Sequence, residues 1–280
     1  MKQGENKMKR KIFLLIAAFL LVTQGSWVSG QFTPSEIAER AQWEEFLKTA
    51  EITGSKEIGE GVTKPYKLYL KKGDVESQAA WKNPHGIQLG YLEGWQYEIA
   101  AYQMDKLLGL NMIPPTVERE FNGKKGALQF WVTKEMSDLE RMDKNIDIPK
   151  DAADGWEKMK YIARAFDSLI GNEDRTQQNI LYTKDWRTIL IDHSRAFRSS
   201  EKFTKQLMFG QNGITGNKPF RRLPRVFVEK IKALTFDSIK NAAGLYLEDK
   251  EIKAVLVRKN LLLKEIEEMI KEKGEDKVLY

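Results

Sequence analysis

The sequence predicts an α+β fold in two lobes, strand-rich in its first half and helical in its second. Three observations predict it. Tyr66, Leu68 and Leu70 alternate with Lys67, Tyr69 and Lys71, the two-residue period of a half-buried strand. Turn signals, Lys72-Gly73-Asp74 and Asn122-Gly123, divide the first half into hairpins. After Lys134 the apolar spacing lengthens to the helical period, over Trp156 to Ile170 and again from Val226 to Lys273. Strands followed by helices, rather than alternating with them, give separate layers, and the boundary falls near residues 133–140.

The elements follow in order. Lys7 to Lys11 form a positive stretch, Ile12 to Val22 are uncharged and mostly apolar, and Val28-Ser29-Gly30 are small or short. This is the pattern of a cleaved secretory signal peptide over residues 1–30. Its apolar stretch is too short to span a bilayer, and no later segment reaches 18 apolar residues. Thr33-Pro34-Ser35-Glu36 reads as a capping box with proline at the first helical position. The helix it opens runs to about Ala50, with Ile37, Ala41 and Leu47 inward. Residues 57–82 read as strands, with the glycine-containing turn Ile58 to Thr63 lying before the alternating strand at Tyr66 to Lys71. Trp95 to Leu108 reads as a helix stopped by Gly109. Val117 to Phe121 and Ala127 to Val132 form the second hairpin. In the second half, Trp156 to Ile170 is a helix stopped by Gly171, and Ile180 to Tyr182 and Thr188 to Ile191 are short strands. Residues 199–225 read as a long loop, and the rest as helix to Lys273.

Composition excludes several functions. The 280 residues contain no Cys and only two His, His85 and His193. That removes thiol chemistry, a disulfide framework and the usual structural zinc set. The net charge of +6 sits mostly in the leader, since residues 1–30 hold five Lys or Arg and one acid. The remainder is near neutral, which argues against a nucleic-acid binder. An exported chain without cysteine points to a bacterial periplasmic or secreted protein.

The chemistry concentrates in Gly171-Asn172-Glu173-Asp174-Arg175-Thr176-Gln177-Gln178-Asn179 and Ile191-Asp192-His193. If Leu181 pairs with Leu190, Asn179 falls opposite Asp192, and Asp174 enters the same end of the hairpin. Oxygen ligands converging beside a carboxylate suit a hard, hydrated cation such as Mg²⁺. Asp174 to Asn179 has the Asp-x-x-x-x-Asn spacing of a kinase catalytic loop, and Asp192 stands where the metal-binding aspartate follows. Earlier in the chain come Gly59 and Gly61 in a turn, Lys82 ending a strand and Glu98 opening a helix, in the order phosphoryl transfer requires. Lys67 and Lys71 are alternatives to Lys82, and Glu98 also suits a first helical turn through the dipole alone.

Glu98 to Gly109 with Ile113-Pro-Pro-Thr-Val117, the segment Ile170-Gly-Asn-Glu-Asp-Arg175, and Leu190 to Phe197 together resemble the secretory-pathway atypical kinases of the four-jointed and Golgi casein kinase type. Ile58 to Pro65 and Ala79-Ala-Trp-Lys82 are also similar to bacterial phosphatidylinositol-3/4-kinase-like and HipA-like kinases. The likeness spans about residues 55–270 and is most specific over 171–197. It implies a two-lobed protein-kinase-like fold, with the leader at 1–30, a β-rich N-lobe at 31–135 and a helical C-lobe at 136–280. It implies that ATP lies in the cleft under Gly59 and Gly61. Lys82 would hold its phosphates, Glu98 would orient Lys82, and Asp174 would take the acceptor's proton. Asn179 and Asp192 would hold Mg²⁺ or Mn²⁺. The acceptor would be a hydroxyl on a protein, sugar or lipid headgroup. His193-Ser194 departs from the Asn-Gly of the secretory kinases. An ATP-binding pseudokinase or scaffold, and an adenylyl transferase, are the competing readings. Arg175 is expected to be structural, tied to a carboxylate, and His193 to pack beside the metal site. Trp131 and Val132 fall near the lobe boundary, and Arg221, Arg222 and Arg225 read as a solvated loop.

Overall fold

The chain, seen in a computed structural model, is described over residues 32–59, 65–216 and 218–280. The expected leader and Gly61 lie outside the described residues.

Thr33 caps the first helix as a capping box: its backbone N–H donates to Glu36 Oε2 at 2.7 Å. The expected single helix is two, α1 (Pro34–Ala38) and α2 (Arg40–Thr49). Leu47 is buried as expected, but Ala41 is exposed, and Arg40 and Phe46 turn inward in its place. The break at Glu39 rotates the second segment and sets this new face.

Seven strands or partial strands follow: β1 (Glu51–Glu57), β2 (Tyr66–Lys72), β3 (Val75–Lys82), β4 (His85–Gln88), β5 (Tyr91–Gly94), and then β6 (Thr116–Phe121) and β7 (Lys124–Phe130). Five of them form an antiparallel sheet in the order β1-β2-β3-β7-β6. The hairpin turns lie where the glycines predicted them, with Lys72 opposite Val75 and Phe121 opposite Lys124. Asn122 and Gly123 both have positive φ, 51° and 70°, as a tight twisted hairpin requires. Strand β1 was not expected. Its mixed, mostly exposed Glu-Ile-Thr-Gly-Ser-Lys-Glu lacks a strong apolar period, and it survives as a charged edge strand. Leu68, Leu70, Ala79, Trp81, Val117 and Leu128 bury one sheet face against Phe46, Leu47 and Ala50 of the N-terminal helix.

Helix α3 (Trp95–Leu108) ends on Gly109 at φ 65°. It packs against β6 and β7 on one side and against the later helices on the other, so it is buried almost throughout. The second half holds β8 (Met136–Ser137), α4 (Asp138–Asp143), α5 (Ala153–Ile170), β9 (Ile180–Tyr182), β10 (Thr188–Leu190) and α6 (Glu201–Lys205). The expected long terminal helix is broken into α7 (Arg225–Ala233), α8 (Phe236–Ala243) and α9 (Asp249–Lys273), followed by α10 (Glu275–Val278). Thr235 forms a capping box with Ser238, which starts a new helix where apolar period alone shows no boundary. Strands β10, β9 and β8 make a small second sheet on the helical core.

One buried acid joins the N-terminal helix to α3. Asp105 is fully buried, accepts the Met112 N–H at 2.8 Å, and has the Arg40 guanidinium 4.0 Å away. Burial pushes its carboxyl up to about 7, against the lowering effect of these donors. The folded state therefore favours the neutral acid. Below the ordinary carboxyl value, about 3.9, the group costs nothing. Between there and 7 stability falls as pH rises, and above 7 the full cost is present. Asp105→Asn keeps the acceptor for Met112 and removes the charge. It should stabilise the protein by ~2–4 kcal/mol at pH 8, at about 1.4 kcal/mol per pH unit, and by little at pH 4. Melting curves of both proteins across that range check this. Parallel curves would show that Asp105 stays ionised.

Candidate active site

Four chain segments meet between the large sheet and the helical core. Lys82 is the last residue of β3, paired in register with Ala127, and its ammonium is nearly buried. Glu98 sits in the first turn of α3 and is 1% exposed. Lys82 Nζ is 2.9 Å from Glu98 Oε1 and 3.3 Å from Asp192 Oδ1. Lys67 and Lys71, the other candidates, lie elsewhere: Lys67 Nζ stands 4.2 Å above the Trp131 ring, and Lys71 pairs with exposed Glu76. Lys67 and Lys71 both lie on β2, opposite Ala80 and Glu76 of β3, whereas Lys82 ends β3 within reach of Glu98.

The ion pairs set the protonation states. Burial alone would lower the Lys82 pKa, but the carboxylates of Asp192 and Glu98 outweigh it and the group is held firmly as the ammonium. Burial would likewise raise Glu98, but the Lys82 cation and the His193 N–H outweigh it and keep the carboxyl ionised.

Asp192 follows β10 with φ 60°, a left-handed conformation that Asp tolerates better than most residues. That turn aims the next backbone N–H, that of His193, at Glu98 Oε2 at 3.0 Å. Glu98 thus holds both Lys82 and the segment carrying Asp192. The small hairpin differs in register from expectation. Ile189 pairs with Leu181 and Leu190 with Ile180, so Asn179 falls opposite Ile191, whose N–H donates to Asn179 O at 3.1 Å. Asn179 is therefore not directly opposed to Asp192. The turn between the two strands sets this register: Trp186 adopts φ 61° and its N–H donates to Thr183 O at 2.9 Å, while the Thr183 N–H donates to Arg187 O at 3.1 Å.

Asp174 lies on the loop after α5, which Gly171 ends at φ 62°. A Cβ at Gly171 would also stand 2.8 Å from the Arg258 guanidinium carbon. Asn172 Oδ1 accepts the Asp174 N–H at 3.2 Å, and Asn179 Nδ2 donates to Asp174 O at 2.8 Å. Asn179 thereby braces the loop with its nitrogen and keeps its amide oxygen for another partner. Burial raises the Asp174 pKa, opposed by Arg195 at 3.5 Å and reinforced by Asp192 and Glu93.

Arg175 points inward, as expected. It forks onto Asp167 at 2.8 and 3.0 Å, and donates to Asn179 O, Ile191 O and His193 Nε2. Since Nε2 accepts from a guanidinium, the His193 proton sits on Nδ1, toward Glu98 Oε2 at 3.8 Å. Burial and the Arg175 charge lower the His193 pKa, so the ring is neutral. The ring is a packed structural group, not a titrating catalyst.

Sequence reasoning missed three residues. Asp167 lies four residues after Ala163 and three before Ile170, which places an acid on the apolar face of α5, and that mismatch was the available signal. Glu93 is 3% exposed and accepts from Ser194 Oγ and Arg195 Nε, both at 2.8 Å. Arg195 bridges Glu93 and Asp174. Neither Glu93 nor Arg195 carried a local signal, because their contacts join segments about 100 residues apart. Gly59 lies just after β1, and a Cβ there would meet nothing within 4 Å. The expected loop arginines are exposed, and Arg225 pairs with Glu275 and Asp276.

A divalent cation would find two kinds of hard donor here, the half-exposed Asp192 carboxylate and the Asn179 amide oxygen. Among the described residues no three His, Cys, Asp or Glu side chains gather into a metal-binding cluster. The donor set therefore fits an ion completed by phosphate oxygens and water rather than an all-protein cage.

No family model matches the chain, and no curated protein matches its sequence. Solved structures do match. The crystal structure of the Golgi casein kinase with Mn/ADP bound superposes with a TM-score of 0.62 and 14% identity, over 90% of this chain and 80% of that one. The Helicobacter pylori proinflammatory kinase CtkA matches with a TM-score of 0.49 and 12% identity, over 81% of this chain and 96% of that one. The chain has a two-lobed kinase-like fold. The strand-rich part carries Lys82, and the helical part carries Asp174, Asn179 and Asp192.

Proposed function

We propose that this protein transfers the γ-phosphoryl group of ATP to a hydroxyl acceptor with the help of Mg²⁺ or Mn²⁺. The observation that carries the reading is Lys82, held at 2.9 Å from Glu98 and 3.3 Å from Asp192 across the cleft. A nearly buried lysine shared by two carboxylates from separate segments is a costly arrangement. It is explained if the ammonium also meets phosphate oxygens. On this reading Lys82 binds the phosphates, Glu98 fixes the position of Lys82, and the turn that begins at Gly59 is the segment expected to cover them. Asp192 and Asn179 would hold the cation, which would supply neutralisation of the charge on the phosphate oxygens. Asp174 accepts the hydroxyl proton as the acceptor oxygen bonds to the γ-phosphorus and the bond to the departing ADP oxygen breaks. Arg195 opposes the effect of burial on Asp174 and keeps it available as a base. The neighbouring fold with Mn and ADP bound supports the choice of nucleotide and metal. The leader at residues 1–30 supports work outside the cytoplasm.

Labelled ATP, Mn²⁺ and generic hydroxyl acceptors test the reading. Asp192→Ala should lower phosphate transfer by about 10²–10³-fold, the usual effect of losing one electrostatic stabiliser. Equal transfer by the variant and the wild type would reject the assignment.

A further inference from the structure

A second pocket lies on the helical side of the catalytic loop, walled by Thr176 and Gln177, by α5, and by Tyr182 and Thr188 of the small sheet. Its volume is about 250 Å³. That is below the roughly 300–1,000 Å³ of sites for drug-sized ligands, so the space suits a smaller molecule than a nucleotide.

Three features describe what would fit. The first is charge. Arg141 and Arg175 also line the pocket but are neutralised by Asp138 and Asp167. Lys160, Arg164 and Lys218 remain, and among the described residues Asp138 is the only acid in the lining. Arg164 donates to a carbonyl, Pro219 O, rather than to a carboxylate. Lys160 has Glu157 only at 3.7 Å. Burial lowers the pKa of both Lys160 and Arg164; Arg164 and Arg221 lower Lys160 further against the pull of Glu157, and Arg221 lowers Arg164 further against Tyr161. An anion would relieve this crowding. The second is an orphaned hydroxyl. Thr188 is 4% exposed, and its Oγ1 has no hydrogen-bond partner. A buried hydroxyl without a partner is a cost that a polar ligand group removes. The third is an aromatic wall. Trp156 and Tyr182 stand side by side, tied by an indole N–H to phenol oxygen bond at 2.7 Å.

We propose that this pocket binds a small hydroxylated organic anion of the sugar phosphate class. Its phosphate meets Lys160, Arg164 and Lys218. Its ring lies on Trp156 and Tyr182, and one hydroxyl bonds Thr188 Oγ1. The site is separate from the Lys82 cleft and stands whether or not the protein transfers phosphate.

Calorimetric titration of the full chain with glucose 6-phosphate, glucose and inorganic phosphate tests this. Glucose 6-phosphate should bind at one site, at least tenfold tighter than either fragment. Lys160→Met should weaken it by about 10–100-fold, and Thr188→Val by roughly tenfold. Saturating ADP with Mn²⁺ should leave its affinity unchanged. No binding, equal binding of inorganic phosphate, or unchanged affinity in Lys160→Met would overturn the proposal. Competition by ADP would also overturn it, by placing the ligand in the nucleotide cleft. A failure of ADP to bind, with glucose 6-phosphate binding intact, would count against the kinase reading alone.

Discussion

Lys82→Met should lower phosphoryl transfer by about 10²–10³-fold and destabilise the protein as well. The two effects have one origin. Glu98 is 1% exposed, and among the described residues its other hydrogen-bond donor is the His193 backbone N–H at 3.0 Å. Without the ammonium it becomes a buried carboxylate lacking its cation, which costs roughly 3–5 kcal/mol. The stability loss can be separated from the catalytic one. Glu98→Gln keeps an acceptor for His193 and removes the charge, so the double variant Lys82→Met/Glu98→Gln should recover much of the stability while transfer stays low. Denaturant unfolding and a transfer assay on the four proteins of this cycle give both readouts. If the double variant were as unstable as Lys82→Met, the ion pair would not be the source of the cost. If Lys82→Met transferred phosphate at the wild-type rate, the cleft assignment would fail.

The same cluster shows which parts of the molecule are legible from sequence. Lys82, Glu98, Asp174 and Asp192 were readable because each follows a local signal: the end of an alternating strand, the start of a helix, a glycine-stopped loop, the end of a short strand. Hairpin turns and glycine caps were readable for the same reason, since they depend on the few residues that tolerate positive φ. What sequence could not supply is registration between segments. The one-residue shift that moves Asn179 opposite Ile191 is set by the conformation of the turn between β9 and β10, where Trp186 takes a positive φ that its residue type does not announce. Strand β1 owes its place to pairing with β2 rather than to its own composition. The Glu93–Arg195–Asp174 chain exists only once β5 is folded against the segment after β10. Capping residues inside the terminal helical run were visible at Thr235, yet the apolar period masked them.

Arg175 carries the other large effect, and it acts on architecture. Its side chain is 4% exposed, and Asp167 is fully buried. The guanidinium neutralises Asp167 and also donates to Asn179 O at 2.9 Å and Ile191 O at 2.8 Å, the residues flanking the paired strands β9 and β10. One side chain therefore ties the loop that carries Asp174 to the start of β9 beside Asn179 and to the end of β10 beside Asp192. Arg175→Met would leave Asp167 with the Asn172 amide at 2.9 Å as its remaining side-chain donor, and would strip His193 Nε2 of its partner. The expected cost is roughly 3–5 kcal/mol. At about 2–4 °C per kcal/mol for a domain of this size, the melting temperature should fall by about 6–20 °C. Asp167→Asn in that background removes the stranded charge and should restore part of the loss. It cannot restore the two carbonyl contacts, so transfer should stay impaired in the double variant even where melting recovers. Recovery of both together would mean that Arg175 serves only to neutralise Asp167, and the bracing of β9 and β10 would be redundant.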